Sequence, residues 1–280
     1  MSTPFIDWLN YISLPLLGTL LLICMIGAAV ASFVFRRVQD RRDIAVGNKR
    51  SEGQEGYIVS AVLGLLALLL GFTFSLATDR FEARRLLVLE ESNAIGTAFL
   101  RSQLLGEPHR TRLSDLLIEY TQNKIALAKA APNETQPLLA TDDRLLTDIW
   151  AATAAGFDSI KGIDFSSTFV DAMNDMIDLD ATRRAARSAH VPTEVFAVLF
   201  IYLVVAAGVL GYVLSAPRGR LTGIFLMGLL TLSLLLIIDI DRPTSGGISE
   251  SQRPMEMLLT SLKSQPISVY DRWRVPAAPQ

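Results

Sequence analysis

The chain has 280 residues, half of them apolar and 19% charged, with a formal net charge of −2. That balance leaves no basic footprint for nucleic acid. The single cysteine, Cys24, excludes an internal disulfide, a zinc cluster and a Cys-x-x-Cys redox pair.

Residues 1–13 hold no Lys or Arg and lead into an uncharged stretch at 14–35. It is too long for a signal peptide and its basic cluster follows it, so it reads as a first membrane span. Three more stretches without Asp, Glu, Lys, Arg or His lie at 57–78, 195–217 and 221–238. About 20 residues at about 1.5 Å each cross a hydrocarbon core of roughly 30 Å. In lipid the backbone must satisfy its own hydrogen bonds, so each stretch is expected to be a helix.

The linkers at 36–56 and 218–220 hold eight Lys or Arg. The positive-inside rule then puts both in the cytoplasm, and the region between spans two and three outside with the C-terminus. Arg80, Arg84 and Arg85 after span two, and Arg183, Arg184 and Arg187 before span three, reduce that asymmetry.

Within span two, Ser60, Gly64, Ala67, Gly71, Ser75 and Thr78 form a stripe of small residues at helical spacing. One reading is a seam where helix backbones approach closely. The other is a pore wall, with Ser75 and Thr78 meeting ions or water and Leu68 and Phe72 forming an apolar gate. Four spans leave little room for a central conduit, so a pore would need a ring of subunits.

Residues 79–192 read as helical throughout. Nothing breaks the chain between Phe72 and Gly96, so span two is expected to run on as one helix over about 57–105, roughly 70 Å. Gly106-Glu107-Pro108 stops it, and Pro108 opens a helix over about 109–130. Further helices are expected at about 143–156 and 166–190, with 131–133 and 162–164 as breaks and Asn133-Glu134-Thr135 in a loop. Pro192 marks a kink or short break before span three. Glu90, Asn93, Thr97 and Arg101 fall on one helix face, and Asp171, Asn174, Asp178 and Thr182 on another. Such stripes are either solvated or form a buried polar network. Phe81, Val88, Ile95 and Phe99 are expected to meet Phe169, Met173 and Ile177 as apolar contacts.

Catalysis has little support. His109 and His190 stand beside prolines at helix ends, and no P-loop, nucleophile elbow or His-Glu-x-x-His appears. No ionisable residue lies near a span centre, where a coupling site would be expected. Asp239 and Asp241 close span four, and 241–247 is a turn-rich exit. Residues 255–262 read as a short amphipathic helix and 276–280 as disordered.

Three motifs, GFTFSLATDRFEARRLLVLEESNAIGTAFLR (71–101), MNDMIDLDATRRAARSAHVP (173–192) and DIDRPTSGGI (239–248), resemble the bacterial bestrophin-like family of membrane proteins, defined by a domain of unknown function. The likeness reaches further, to bestrophins: Gly71-Phe72 followed by Arg80 and Phe81 is similar to their Gly-Phe, Arg and Trp at the same offset. It implies a pentameric ion channel lined by the second span, with Phe72 and Leu68 at neck positions and a cytoplasmic soluble region. Gly64 stands where a bulky neck residue is expected, and no acidic calcium clasp is recognisable after span four.

The expected fold is therefore all-α, four transmembrane helices with a helical soluble domain between spans two and three. The expected domains are 1–78, 79–192, 193–240 and a tail at 241–280. The leading function is an oligomeric passive ion channel in the bacterial inner membrane, without catalysis, cofactor or metal. Its partners are the bilayer, copies of itself and small inorganic ions. The alternative is a non-conducting membrane protein whose helical domain docks a partner or senses a signal.

Overall fold

A computed structural model describes residues 12–46, 55–214, 217–243, 246–264 and 266–272. The expected disorder at 276–280, and parts of the N-terminal tail, the basic linker at 36–56 and the 241–247 exit, lie outside them. Eight α-helices are described: α1 Leu14–Val46, α2 Glu55–Ser102, α3 His109–Lys129, α4 Pro132–Ile160, α5 Phe165–Ser188, α6 Thr193–Val213, α7 Pro217–Asp241 and α8 Arg253–Ser264. A 3₁₀ turn at Ile267–Asp271 follows.

Several boundaries differ from expectation, each for a local reason. α4 begins at Pro132 rather than near 143, because Pro costs nothing at a first helical position whose N–H has no partner anyway. Glu134 Oε2 then accepts the Ala131 N–H at 3.3 Å, so Asn133-Glu134-Thr135 forms a helical first turn and not a loop. Before Pro192 the break is real: α5 ends at Ser188 and α6 starts at Thr193. α2 spans 48 residues without interruption.

The chain divides into two compact units, one of residues to Phe81 with Ala189–Ser249, the other of Glu82–Ser188 with the segment from Glu250 onward. That second assignment differs from the expected separate tail at 241–280. α8 buries Met255 and Leu262 in the second unit's core, so its apolar face is a structural part of that unit.

In the first unit, four apolar helices long enough to cross a membrane come from α1, α2, α6 and α7. Leu17, Leu21 and Met25 repeat every fourth residue and meet Leu66, Leu70 and Ala77 of α2, Leu199 and Leu203 of α6, and Leu234 and Ile238 of α7 in one cluster. α1 and α6 pack so closely that a Cβ on Gly211 would collide with the Ala29 backbone. Around this core the outward residues are also apolar, among them Ile23, Val30, Ile201, Val205, Phe225 and Leu232. A helix apolar on every side calls for a solvent as apolar as its core, which a bilayer provides.

The second unit has an ordinary amphipathic core. Val88, Ile95 and Phe99 of α2 meet Phe169 and Met173 of α5, together with Leu117, Ile149 and Met255. Of the expected apolar contacts, Ile177 packs against this cluster, whereas Phe81 packs against the first unit's cluster instead.

Leu66 is fully buried and Leu68, two residues on, is 52% exposed. Leu66→Ala should lower stability in detergent by about 2–5 kcal/mol through the cavity it leaves. Leu68→Ala should stay within about 0.5 kcal/mol. Thermal unfolding of both variants, followed by circular dichroism, checks the contrast.

Candidate functional site

α2 in the first unit has two unlike faces. Leu66, Leu70, Thr73 and Ala77 are buried, at spacings that keep them on one side of the helix. The small-residue stripe lies elsewhere: Ser60, Gly64, Ala67, Gly71 and Ser75 are exposed and Thr78 is half-buried. A methyl group added at Gly64 or Gly71 would meet no atom within 4 Å. The stripe is thus not a packing seam inside the chain. Phe72 is 67% exposed and, with Leu68, borders the same open face.

Ser60 Oγ donates to the Gly56 carbonyl at 3.0 Å. On the buried face, Thr73 Oγ1 donates to the Leu69 carbonyl at 2.8 Å. Helix carbonyls thus satisfy hydroxyls that have no water nearby.

The acids closing α7 have structural partners. Asp239 Oδ1 accepts the Gly247 N–H at 2.8 Å, and a side chain on Gly246 would collide with that carboxylate. Asp241 Oδ1 accepts the Val191 N–H at 3.0 Å, while its Oδ2 lies 3.6 Å from His190 Nδ1. Together they fold the exit from α7 back on itself and tie the segment before α6 to the end of α7.

In the second unit, the two polar stripes lie on outward faces. Glu90, Asn93 and Thr97 are exposed, as are Asp171, Asn174, Asp178 and Thr182. Arg101 is half-buried and donates to the Thr168 carbonyl. None of them joins the network that does form, one helical position away.

That network centres on Lys124 of α3, 4% exposed. Its ammonium lies 3.3 Å from Glu91 and 3.4 Å from Asp142, and pairs with Asp180. Tyr120 donates its hydroxyl to Glu91 at 2.9 Å, and Arg183 meets the other Glu91 oxygen at 2.5 Å. Arg184 reaches Asp142 at 2.7 Å and Asp180 at 2.8 Å. Asn123 donates to Asp142 at 3.1 Å. Beside this set, Glu250 pairs with Arg84 at 3.2 Å and Arg187 at 3.3 Å.

Three acids are matched by Lys124, Arg183 and Arg184, which is how buried charges become tolerable. Burial, partly offset by the Lys124 ammonium, pushes the Asp142 carboxyl above its usual range. Burial and then the Glu91 charge push the Tyr120 phenol well up. The three carboxylates converge on an ammonium, so the centre of the cage is already filled by a cation.

A sequence signal for this network exists. Glu91 falls between Val88 and Ile95, Lys124 between Leu117 and Leu127, and Asp180 and Arg183 extend Phe169–Met173–Met176, all at core registers. A charge at a core register announces a partner.

Lys124→Met would leave three carboxylates facing one another, and should cost about 3–5 kcal/mol. Glu90→Gln, on the exposed face, should stay within about 0.5 kcal/mol. The two midpoints in chemical denaturation make the comparison.

A family model described as a Bestrophin-like domain matches residues 21–255. No curated protein matches the chain. Among solved structures, a bacterial bestrophin homologue from Klebsiella pneumoniae with a tryptophan-to-alanine mutation superposes with a TM-score of 0.66 at 15% identity, covering 91% of this chain and 100% of that one. The same homologue with a tyrosine-to-alanine mutation gives 0.64 at 16% identity, covering 88% and 98%. The form phased on zinc gives 0.61 at 14% identity, covering 87% and 98%. At such identities the shared feature is the fold.

Proposed function

The chain belongs to the Bestrophin-like family of membrane proteins, and from that premise we propose that it is an oligomeric passive ion channel whose pore is lined by α2. The observation carrying this reading is the open face of α2. A side chain added at Gly64 or Gly71 would meet nothing within the chain, Ser60, Ala67 and Ser75 are exposed beside them, and a lone subunit has no use for such a surface. Several copies arranged around an axis would turn these faces toward one another. The stripe at Ser60, Gly64, Ala67, Gly71, Ser75 and Thr78 then lines the conduit, with ions or water against Ser75 and Thr78. Leu68 and Phe72 form the constriction, since a dry apolar ring gates by excluding water. Ring closure by rotation is the ordinary route to such an assembly, and five copies is the number the bestrophin likeness implies. The helical region after α2 is a domain inserted between spans two and three, the host is the bacterial inner membrane, and the chain conducts rather than catalyses.

Planar-bilayer recording under a salt gradient tests this directly. Discrete openings are expected from the wild type, and Phe72→Ala should raise single-channel conductance several-fold. Unchanged conductance in that variant would remove Phe72 from the gate. A silent bilayer containing inserted oligomer would overturn the channel reading.

One observation favours the alternative, a non-conducting protein whose helical domain docks a partner. Exposed Leu86, Leu89 and Met257 line a groove of about 820 Å³ in the second unit. Subunit mass in mild detergent separates the two readings. A closed ring is expected for the channel; a monomer or dimer supports docking.

A further inference from the structure

The second unit leaves two apolar surfaces uncovered, and they differ in kind. One belongs to α4. From Ile149 to Phe157 the sequence holds no charged residue. Ile149 and Ala152 face the core, yet Trp150, Ala151, Ala154 and Ala155 on the other side are exposed. A helix whose outer face borders water is ordinarily polar there. Here Trp150, 44% exposed, stands as one bulky ring on a bed of alanine methyls.

The other surface is the groove of about 820 Å³ lined by α2 and α8. Leu86, Leu89 and Met257 are exposed along it. Pro254 and Leu258 complete its apolar lining. An aromatic side chain that enters such a groove buries about 150–250 Å². Tryptophan is among the residues enriched as interface anchors.

The charges match as well. Glu82, Arg85 and Arg253 are the ionisable residues that line the groove. Glu82 and Arg85 pair with each other at 3.0 Å, so Arg253 gives the lining its net positive charge. On α4, one turn beyond Ala154, stands Asp158, 74% exposed and 3.7 Å from Lys161. An exposed pair of that length contributes little, so Asp158 is able to exchange Lys161 for another cation.

We propose that these two surfaces meet between copies of the chain. The Trp150 face of α4 in one subunit docks into the α2–α8 groove of the next, with Asp158 against Arg253. The contact is heterologous, because the face and the groove are different surfaces, and such a contact repeated by rotation closes a ring. The inference rests on the ring reading above and names the surfaces by which neighbouring second units recognise each other. A foreign partner then finds the groove taken.

Benzoylphenylalanine in place of Trp150 keeps an aromatic ring at that position and cross-links on illumination. Full-length protein in mild detergent should give a ladder of linked subunits on denaturing gels, up to the complete ring. Mass spectrometry should place the new bond on Leu86, Leu89 or Met257. Asp158→Arg and Arg253→Glu, both at exposed positions, should each weaken association by about tenfold or more, read as a shift of particle mass toward smaller species. The two substitutions together should restore the ring, and circular dichroism should be the same throughout. A ring that forms without these links, or with links outside the groove, would overturn the proposal and leave the channel reading standing. So would a double variant that associates no better than the single ones. A ladder that stops at two copies would replace the head-to-tail contact with a mutual pair, and monomers alone would remove both the contact and the ring.

Discussion

A backbone amide in hydrocarbon has no water to turn to, and the first unit is organised around that constraint. Its spans are helices because a helix satisfies nearly every peptide group within itself. Hydroxyls in them follow the same rule: Thr19 donates to the Pro15 carbonyl, Thr73 to Leu69 and Ser233 to Leu229, at 2.7–2.9 Å. Lipid tails are as apolar as leucine, so helix association there gains little from the hydrophobic effect and relies on close packing. Gly211 over Ala29 is the clearest instance, because no larger residue lets α1 and α6 approach so far.

The second unit solves a different problem. Its exposed faces carry Glu90, Asn93, Asp171, Asn174 and Asp178, while Lys124, Glu91, Asp142 and Asp180 lie inside. Burying so many charges is costly, and their mutual attraction does little more than offset desolvation. What it adds is register. Lys124 reaches its three acids only when α2, α3, α4 and α5 stand at one particular rotation. A purely apolar core would tolerate a helix turned by one residue; this network does not.

Surfaces that look alike by composition separate by shape. The α2 face of the first unit is open, and a side chain added at Gly64 or Gly71 would meet no atom of the chain. The α1–α6 seam carries two apolar cavities, of about 470 and 610 Å³. Both are apolar along most of their length, so hydropathy alone does not distinguish them.

Long uncharged stretches and an absence of strand periodicity are local properties, so the all-α class, the four apolar helices long enough to cross a membrane and the uninterrupted run of α2 were legible from residue order. So were Val88, Ile95 and Phe99 as partners of Phe169 and Met173, because apolar spacing marks a buried face. The small-residue stripe was visible too, but whether it was inside or outside was not. Spacing says which residues share a face, and only the other three helices decide which face they cover. The polar stripes were undecided for the same reason. Glu90 and Glu91 are chemically equal neighbours, about 100° apart around the helix, and tertiary packing put the first outside and the second against Lys124. Pro132 as a helix start, and the docking of α8 onto the second core, likewise depended on what lay alongside. The sequence by itself determined which segments are helical and which can enter lipid, since those follow from each residue's own side chain and its near neighbours. Only the tertiary structure decided which charges are buried and which apolar faces stay open, since burial belongs to the neighbours a residue acquires and not to the residue.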